Sequence, residues 1–250
     1  DWWSPAGVGI FAAALLLLVW FGLVERRAAD PVLPLWVFGN RILNASAIGA
    51  FVVGMLMLGL TSYVPVYAQR VLDAGAVTAG LAVAALAIGW PIAASTAGRF
   101  YVSGGYRACL LAGAVLGVLG TGIVAYGDHV WVLALGCLVV GLGLGYVASP
   151  SIVAAQSAVT WRNRGVATGA NMFGRSVGSA VGVALFGAVA NGAIAARVGE
   201  AQRVGDIDLE TLPVGVLEPS LHIVFLAVAA TSVALVVAGL VMPRRVEPVD

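Results

Sequence analysis

Lysine is absent from all 250 residues; the 13 basic side chains are all arginine. A seven-helix retinal protein needs a lysine amine for its Schiff base, so that class is excluded. Beyond this, the missing lysine reads as the coding bias of a GC-rich genome. Charge of either sign is scarce, at 10% of residues against 61% hydrophobic, with a mean hydropathy of +1.01. That balance is far from a soluble domain's. There are two cysteines, Cys109 and Cys137, both inside apolar stretches. They read as small core residues and not as a disulfide or metal pair, so no metal is expected. No His-Glu-x-x-His, no paired intramembrane aspartates and no Ser/His pair at one depth is present, which argues against an intramembrane enzyme. No nucleic-acid partner is expected. The chain opens Asp1-Trp2-Trp3-Ser4-Pro5, without a methionine or a basic-then-apolar signal pattern, and reads as a piece of a longer chain.

What is present is a series of long apolar runs. They fall at 6–24, 43–66, 76–98, 108–126, 130–157, 165–190 and 221–242, each long enough to cross a bilayer. The expected fold is an all-α polytopic membrane protein of seven transmembrane helices. If the 25–41 link is cytoplasmic, Arg26, Arg27, Arg41, Arg99, Arg107, Arg162, Arg164, Arg244 and Arg245 lie inside, and only Arg70, Arg197 and Arg203 outside. The positive-inside rule then puts the N-terminus outside and the C-terminus in the cytoplasm. The 25–41 link, with two prolines and an amphipathic second half, predicts a short interfacial stretch with Trp36 and Phe38 at the headgroups. Segment 191–220 is polar and acidic, ends near Pro219, and predicts a long external loop. Residues 243–250 are expected to form a cytoplasmic tail.

One charge interrupts an apolar run. Arg175 lies about 15 Å into the 165–190 span at ~1.5 Å rise per residue, near the bilayer midplane. A guanidinium at that depth persists only if it faces protein, water or a polar ligand. Asn171, Arg175, Gly178 and Gly182 share a helical face, with Ser179 beside it. This stripe has two readings: a cavity-facing surface, or a structural clamp in which Arg175 bonds backbone carbonyls and Gln156. No Asp or Glu falls in any of the seven runs. Pro65, Pro91 and Pro150 are expected to bend their helices.

Several local patterns carry a resemblance. Glu25-Arg26-Arg27-Ala-Ala-Asp30-Pro31-Val-Leu-Pro34-Leu-Trp-Val-Phe38 resembles the link before the C-terminal six helices of the fourteen-span drug:proton antiporters. These are the EmrB/QacA type of the major facilitator superfamily. Gly98-Arg-Phe-Tyr-Val-Ser-Gly-Gly105-Tyr-Arg107 resembles the C-half copy of that superfamily's cytoplasmic signature loop, with Val102 where an Asp is usual. Arg164-Gly-Val-Ala-Thr-Gly169 through Arg175-Ser-Val-Gly178 resembles its penultimate helix. The resemblance implies that 1–24 is an extra central transmembrane helix and 25–41 a cytoplasmic or interfacial link. It makes 42–242 a C-terminal six-helix transporter domain, and 108–126 and 221–242 the spans that face lipid.

The function the resemblance implies is the C-terminal part of a secondary active transporter, exporting hydrophobic or amphipathic compounds by alternating access in a bacterial inner membrane. A proton gradient would be its energy source, with no cofactor. The coupling acid would then lie in an N-terminal half not included in this sequence, the chain's principal partner besides protons, cargo and the lipid bilayer. A lipid or lipid-conjugate exporter of the same fold is the alternative. Cavity candidates are Asn171, Arg175, Ser179, Gln156, Tyr146, Trp90, Tyr63 and Met57, against the reading of each as core or interface. Gly98, Gly105 and Arg107 are the candidates for a conformational loop.

Overall fold

Uninterrupted apolar sequence, with nearly all charge at its edges, leaves the backbone no solvent partner inside a bilayer, and the chain meets this by hydrogen-bonding to itself as helix. The computed structural model describes residues 5–25, 36–197 and 213–244. The helices are α1 (Pro5–Glu25), α2 (Trp36–Gly39), α3 (Arg41–Arg70), α4 (Ala76–Gly104), α5 (Tyr106–Ala125), α6 (Val130–Ser157), α7 (Arg164–Ala195), α8 (Val214–Ser232) and α9 (Ala234–Val241). A 3₁₀ turn, Trp161–Asn163, precedes α7. Among the described residues no strand occurs, and six helical stretches are long and apolar enough to cross a membrane. The sixth is α8 and α9 together, and α1 adds a shorter apolar helix with its run at Ala12–Val24.

The segment between α1 and α3 is described from Trp36 onward, so Arg26, Arg27, Asp30, Pro31 and Pro34 lie outside the described residues. Within α2, Trp36 and Phe38 are exposed while Val37 is buried against a small cluster with Leu43, Ala155 and Ala167. Asn40 then starts α3: its Oδ1 accepts from the Ile42 N–H at 2.9 Å and the Leu43 N–H at 3.4 Å. Two of the helix's orphan donors are thereby satisfied.

Two segments are more helical than their composition suggests. The signature-loop residues 98–104 continue α4, and a single residue, Gly105, joins α4 to α5. Its φ of 84° is open to glycine, and a Cβ there would collide with the Arg244 carbonyl at the end of the last span. The stretch expected as a loop over 191–220 is narrower at both ends. Helix α7 runs through Ala195 and α8 begins at Val214, so Pro219 lies inside a helix. Leu217, Ser220 and Leu221 are buried, and that packing holds the first turns of α8 helical across the proline. Residues 198–212 and the tail 245–250 lie outside the described residues.

Helices α4, α6, α3 and α7 form one layer. Helix α6 packs between α4 and α3, and α7 packs on the other side of α3, while α5 and the α8–α9 span back this layer. The backing helices, which the resemblance makes lipid-facing, turn buried hydroxyls inward. Thr121 and Ser232, both buried, share a 3.0 Å hydrogen bond between α5 and α8. Small residues set the spacing. Gly141 and Gly145 of α6 meet the α4 backbone, and Gly113 and Gly143 bring α5 onto α6. Along α7, Gly174, Gly178 and Gly182 rest on Ala47, Phe51 and Met55 of α3. Such small-residue seams replace the hydrophobic drive that lipid removes.

A side chain at Gly178 would strike the Phe51 backbone, which no rotamer change relieves. Gly178→Val should therefore cost about 2 kcal/mol or more, at the level of core overpacking. The check is the melting temperature and folded yield in detergent, with Gly169→Val, where nothing lies near the added carbon, remaining close to wild type.

Candidate functional site

The α3–α7 seam uses polar residues as pins. The Asn171 Nδ2 donates to the Ser46 carbonyl at 3.2 Å, and the Ser46 hydroxyl donates to the Ser151 carbonyl at 2.8 Å. Three helices, α7, α3 and α6, are thus linked through Ser46 at its buried position. About two turns further on, the Ser179 hydroxyl donates to the Gly54 carbonyl at 3.2 Å. Such a bond is possible because Gly54 lets the Arg175 and Ser179 backbone approach it directly.

Arg175 shares this face and behaves differently. It is half-buried, and among the described residues its guanidinium has no hydrogen-bond or ion-pair partner. The clamp reading required Gln156, but the Gln156 Nε2 donates to the Thr168 hydroxyl at 2.8 Å, tying α6 to the start of α7. Helix geometry shows what Arg175 meets. On α3, Ser46 and Gly49 face α6, Ala47, Phe51 and Met55 face α7, and Gly59 faces Phe186 and Val228. At about 100° per residue, the arc left uncovered carries Met57 and Thr61. Met57 is 40% exposed on an otherwise well-buried helix. On α7, Arg175 and Ser179 emerge beside the seam, with Met172 and Ser176 further round. The two helices run parallel, since 47–174, 51–178 and 55–182 advance together, so both arcs open on the same side of the pair. A single guanidinium beside thioether and hydroxyl groups forms a surface that is apolar with one strong donor, suited to an amphipathic guest.

The remaining candidates are placed elsewhere. Tyr146 sits between α4 and α5. Its hydroxyl is 2.8 Å from the Thr96 hydroxyl, its ring meets Phe100 edge-on at 5.9 Å, and its carbonyl accepts from the Cys109 thiol at 3.6 Å. Tyr63 lies along the α3–α7 seam, its hydroxyl beside Gly187, and Trp90 packs partly buried against the core. Gly98 lies within α4 with open space around it, and Arg107 stands in the first turn of α5. Asn171, Ser179, Arg175, Met57 and Tyr63 therefore gather about α3 and α7, and Tyr146 and Trp90 do not join them.

A group at the opposite end of the bundle escaped the sequence reading. Tyr67, Arg197, Glu218 and His222 line a cavity of about 570 Å³ where α3 and α7 end and α8 begins. The expected 191–220 loop includes Glu218, but Glu218 stands on the sixth spanning stretch, within its first two turns. The signal available was the i, i+4 spacing of Glu218 and His222 ahead of an apolar run.

With this geometry in view, known proteins supply context. Residues 2–183 match the family model described as Major Facilitator Superfamily. Multidrug resistance protein 3 of Bacillus subtilis is 29% identical over 193 residues, covering 76% of this chain and 38% of that protein. The puromycin resistance protein of Streptomyces alboniger is 28% identical over 260 residues, covering 100% of this chain and 50% of its own length. An uncharacterized MFS-type transporter of Mycobacterium tuberculosis is 30% identical over 217 residues, 85% of this chain and 31% of that one. The chain thus spans about a third to a half of the length of these relatives.

The two polar residues one turn apart on α7 should separate by experiment. Asn171→Ala breaks an interhelical bond and should cost about 1 kcal/mol, read as a lower melting temperature. Arg175→Ala breaks none among the described residues and should leave melting near wild type. A fall in melting temperature for Arg175→Ala as large as for Asn171→Ala would show that the guanidinium is a clamp after all.

Proposed function

The chain belongs to the Major Facilitator Superfamily, and from that premise we propose that it is the C-terminal part of a proton-coupled exporter of hydrophobic or amphipathic compounds, of the fourteen-span drug:proton antiporter type. The observation that carries the reading is Arg175: a half-buried charge at mid-span, without a partner among the described residues, on the open side of the α3–α7 pair. Intramembrane charge retained without a structural partner marks a pathway. Relatives named for multidrug, puromycin and tetracycline resistance favour drug-like cargo over the lipid alternative.

The partner is an N-terminal half. Helices α4 and α7 are the least covered spans, 28% and 33% buried over their most apolar windows against 61% for α3. Their outer faces are the surfaces a second six-helix domain would share with lipid, and rocking of the two halves would give alternating access. The acid that couples protons belongs to that other half, since the one carboxylate on a described spanning helix of the bundle, Glu218, sits at the helix's outer end. The membrane is the bacterial inner membrane, with the C-terminus cytoplasmic. Among the described residues from Trp36 onward, one end of the bundle holds Arg41, Arg99, Arg107, Arg162, Arg164 and Arg244 and no acid. The other holds Arg70 and Arg197 with Asp73, Asp128 and Glu218. The arginine-rich end is the cytoplasmic one by the positive-inside rule.

Two measurements test this. In cells expressing the complete transporter, efflux of a fluorescent amphipathic dye should stop when an uncoupler collapses the proton gradient, and Arg175→Ala should abolish it while Arg175→Lys retains part; uncoupler-insensitive efflux would refute proton coupling. In a cysteine-free background, Ser103→Cys should be protected from an impermeant thiol reagent in intact cells, while Asp128→Cys labels. The reverse pattern would invert the orientation.

A further inference from the structure

Where the last span ends against the α4–α5 turn, two arginines from different helices line one groove. Arg107, in the first turn of α5, and Arg244, just beyond α9, border a cavity of about 260 Å³ with Gly104, Ala108 and Leu111. A second cavity of about 460 Å³ continues from it along the turn, again bordered by Gly104 and Arg244 and reaching Val102. The floor of the smaller cavity is apolar, its rim carries two cations, and among the described residues no acid stands at this end of the bundle from Trp36 onward. Val102, 80% exposed at the rim, contributes no charge. The first-turn N–H groups of α5 add to the same field, for Gly105 supplies no side-chain cap.

We propose that this groove binds an anionic phospholipid, its phosphate held between Arg107 and Arg244 and its acyl chain laid over Ala108 and Leu111. The argument from charge is direct. Six arginines at one end of the described bundle attract anionic lipid to the leaflet they face, and a basic pocket between helices at headgroup depth fixes the phosphate. Guanidinium is the group best matched to phosphate geometry. The groove lies on α5 and α9, the flank that backs the layer, and so is separate from the Arg175 side. The inference does not depend on what the transporter exports.

The test uses the complete transporter purified in detergent and titrated with phosphatidylglycerol, phosphatidylcholine or inorganic phosphate, reading melting temperature and lipid retained by native mass spectrometry. Phosphatidylglycerol should stabilise and be retained, and phosphatidylcholine should not. Arg107→Gln and Arg244→Gln should each weaken the phosphatidylglycerol response about fivefold, at roughly 1 kcal/mol per basic residue. Val102→Glu puts an opposing charge at an exposed rim position without disturbing packing, and should weaken it comparably while leaving lipid-free melting unchanged. Arg99→Gln removes the same charge outside the groove and should leave the response intact. Equal responses to the two lipids, or equal losses for Arg99→Gln and Arg107→Gln, would overturn the site. Full stabilisation by inorganic phosphate, with no further gain from phosphatidylglycerol, would overturn the lipid as its occupant.

Discussion

The approach of the α7 backbone to α3 is the constraint on which the rest of the bundle depends. Gly174, Gly178 and Gly182 of α7, met by Gly54 of α3, bring main chain against main chain. At that spacing short side chains reach across, and Asn171 finds the Ser46 carbonyl and Ser179 the Gly54 carbonyl. Ser46 in turn reaches α6, which is held to α4 and α5 by its own glycine contacts. Larger residues at these positions would part the helices, strand the polar groups in an apolar medium and dissolve the layer.

The close approach also sorts the polar residues of α7 into two kinds. Asn171 and Arg175 are one turn apart, and from spacing alone they belong to one stripe. In three dimensions the short amide is absorbed by the seam, while the long guanidinium is carried past it to the edge. A helical wheel records angle and not reach, and so cannot separate the two. The spans themselves were readable because length and hydropathy suffice to define a helix in a bilayer. What resisted reading were features set by contacts far away in sequence. The α4–α5 link is Gly105 alone, with the Arg244 carbonyl packed against the place a side chain would take. The start of α8 lies ahead of Pro219 because Leu217 and Leu221 are buried in the core. Hydropathy alone leaves Glu218 in the loop, while its helix and its cluster with Tyr67, Arg197 and His222 are set by that distant packing. Tyr146 was misleading for a related reason: its neighbours Thr96, Phe100 and Cys109 come from two other helices, and they place it between α4 and α5.

The helices are unequally covered, and the carrier we propose would use that difference. The well-buried α3 and α6 carry the seams that hold the domain together. The exposed α4 and α7 present apolar outer faces, with Met172 and Phe173 of α7 and Leu81, Ile88 and Ile92 of α4 among the larger exposed side chains. A rigid centre flanked by two open helices can turn as a unit against a second domain without breaking its own contacts.

The hydroxyl groups carry a consequence for how the protein is made. Thr61, Thr96, Ser103, Ser220 and Thr231 each donate to a carbonyl three or four residues back on their own helix, and Thr121 and Ser232 each have such a carbonyl within reach until one of them gives its proton to the other. The hydroxyl proton is therefore satisfied before any other helix arrives. When a single span leaves the translocon ahead of its neighbours, these groups present lipid with an oxygen whose donor is already engaged. The cost of waiting in the bilayer is small, and helices can be released one at a time. Asn171 has no such internal bond among the described residues, and α7 emerges after α3, whose Ser46 carbonyl is by then already in the membrane to receive it.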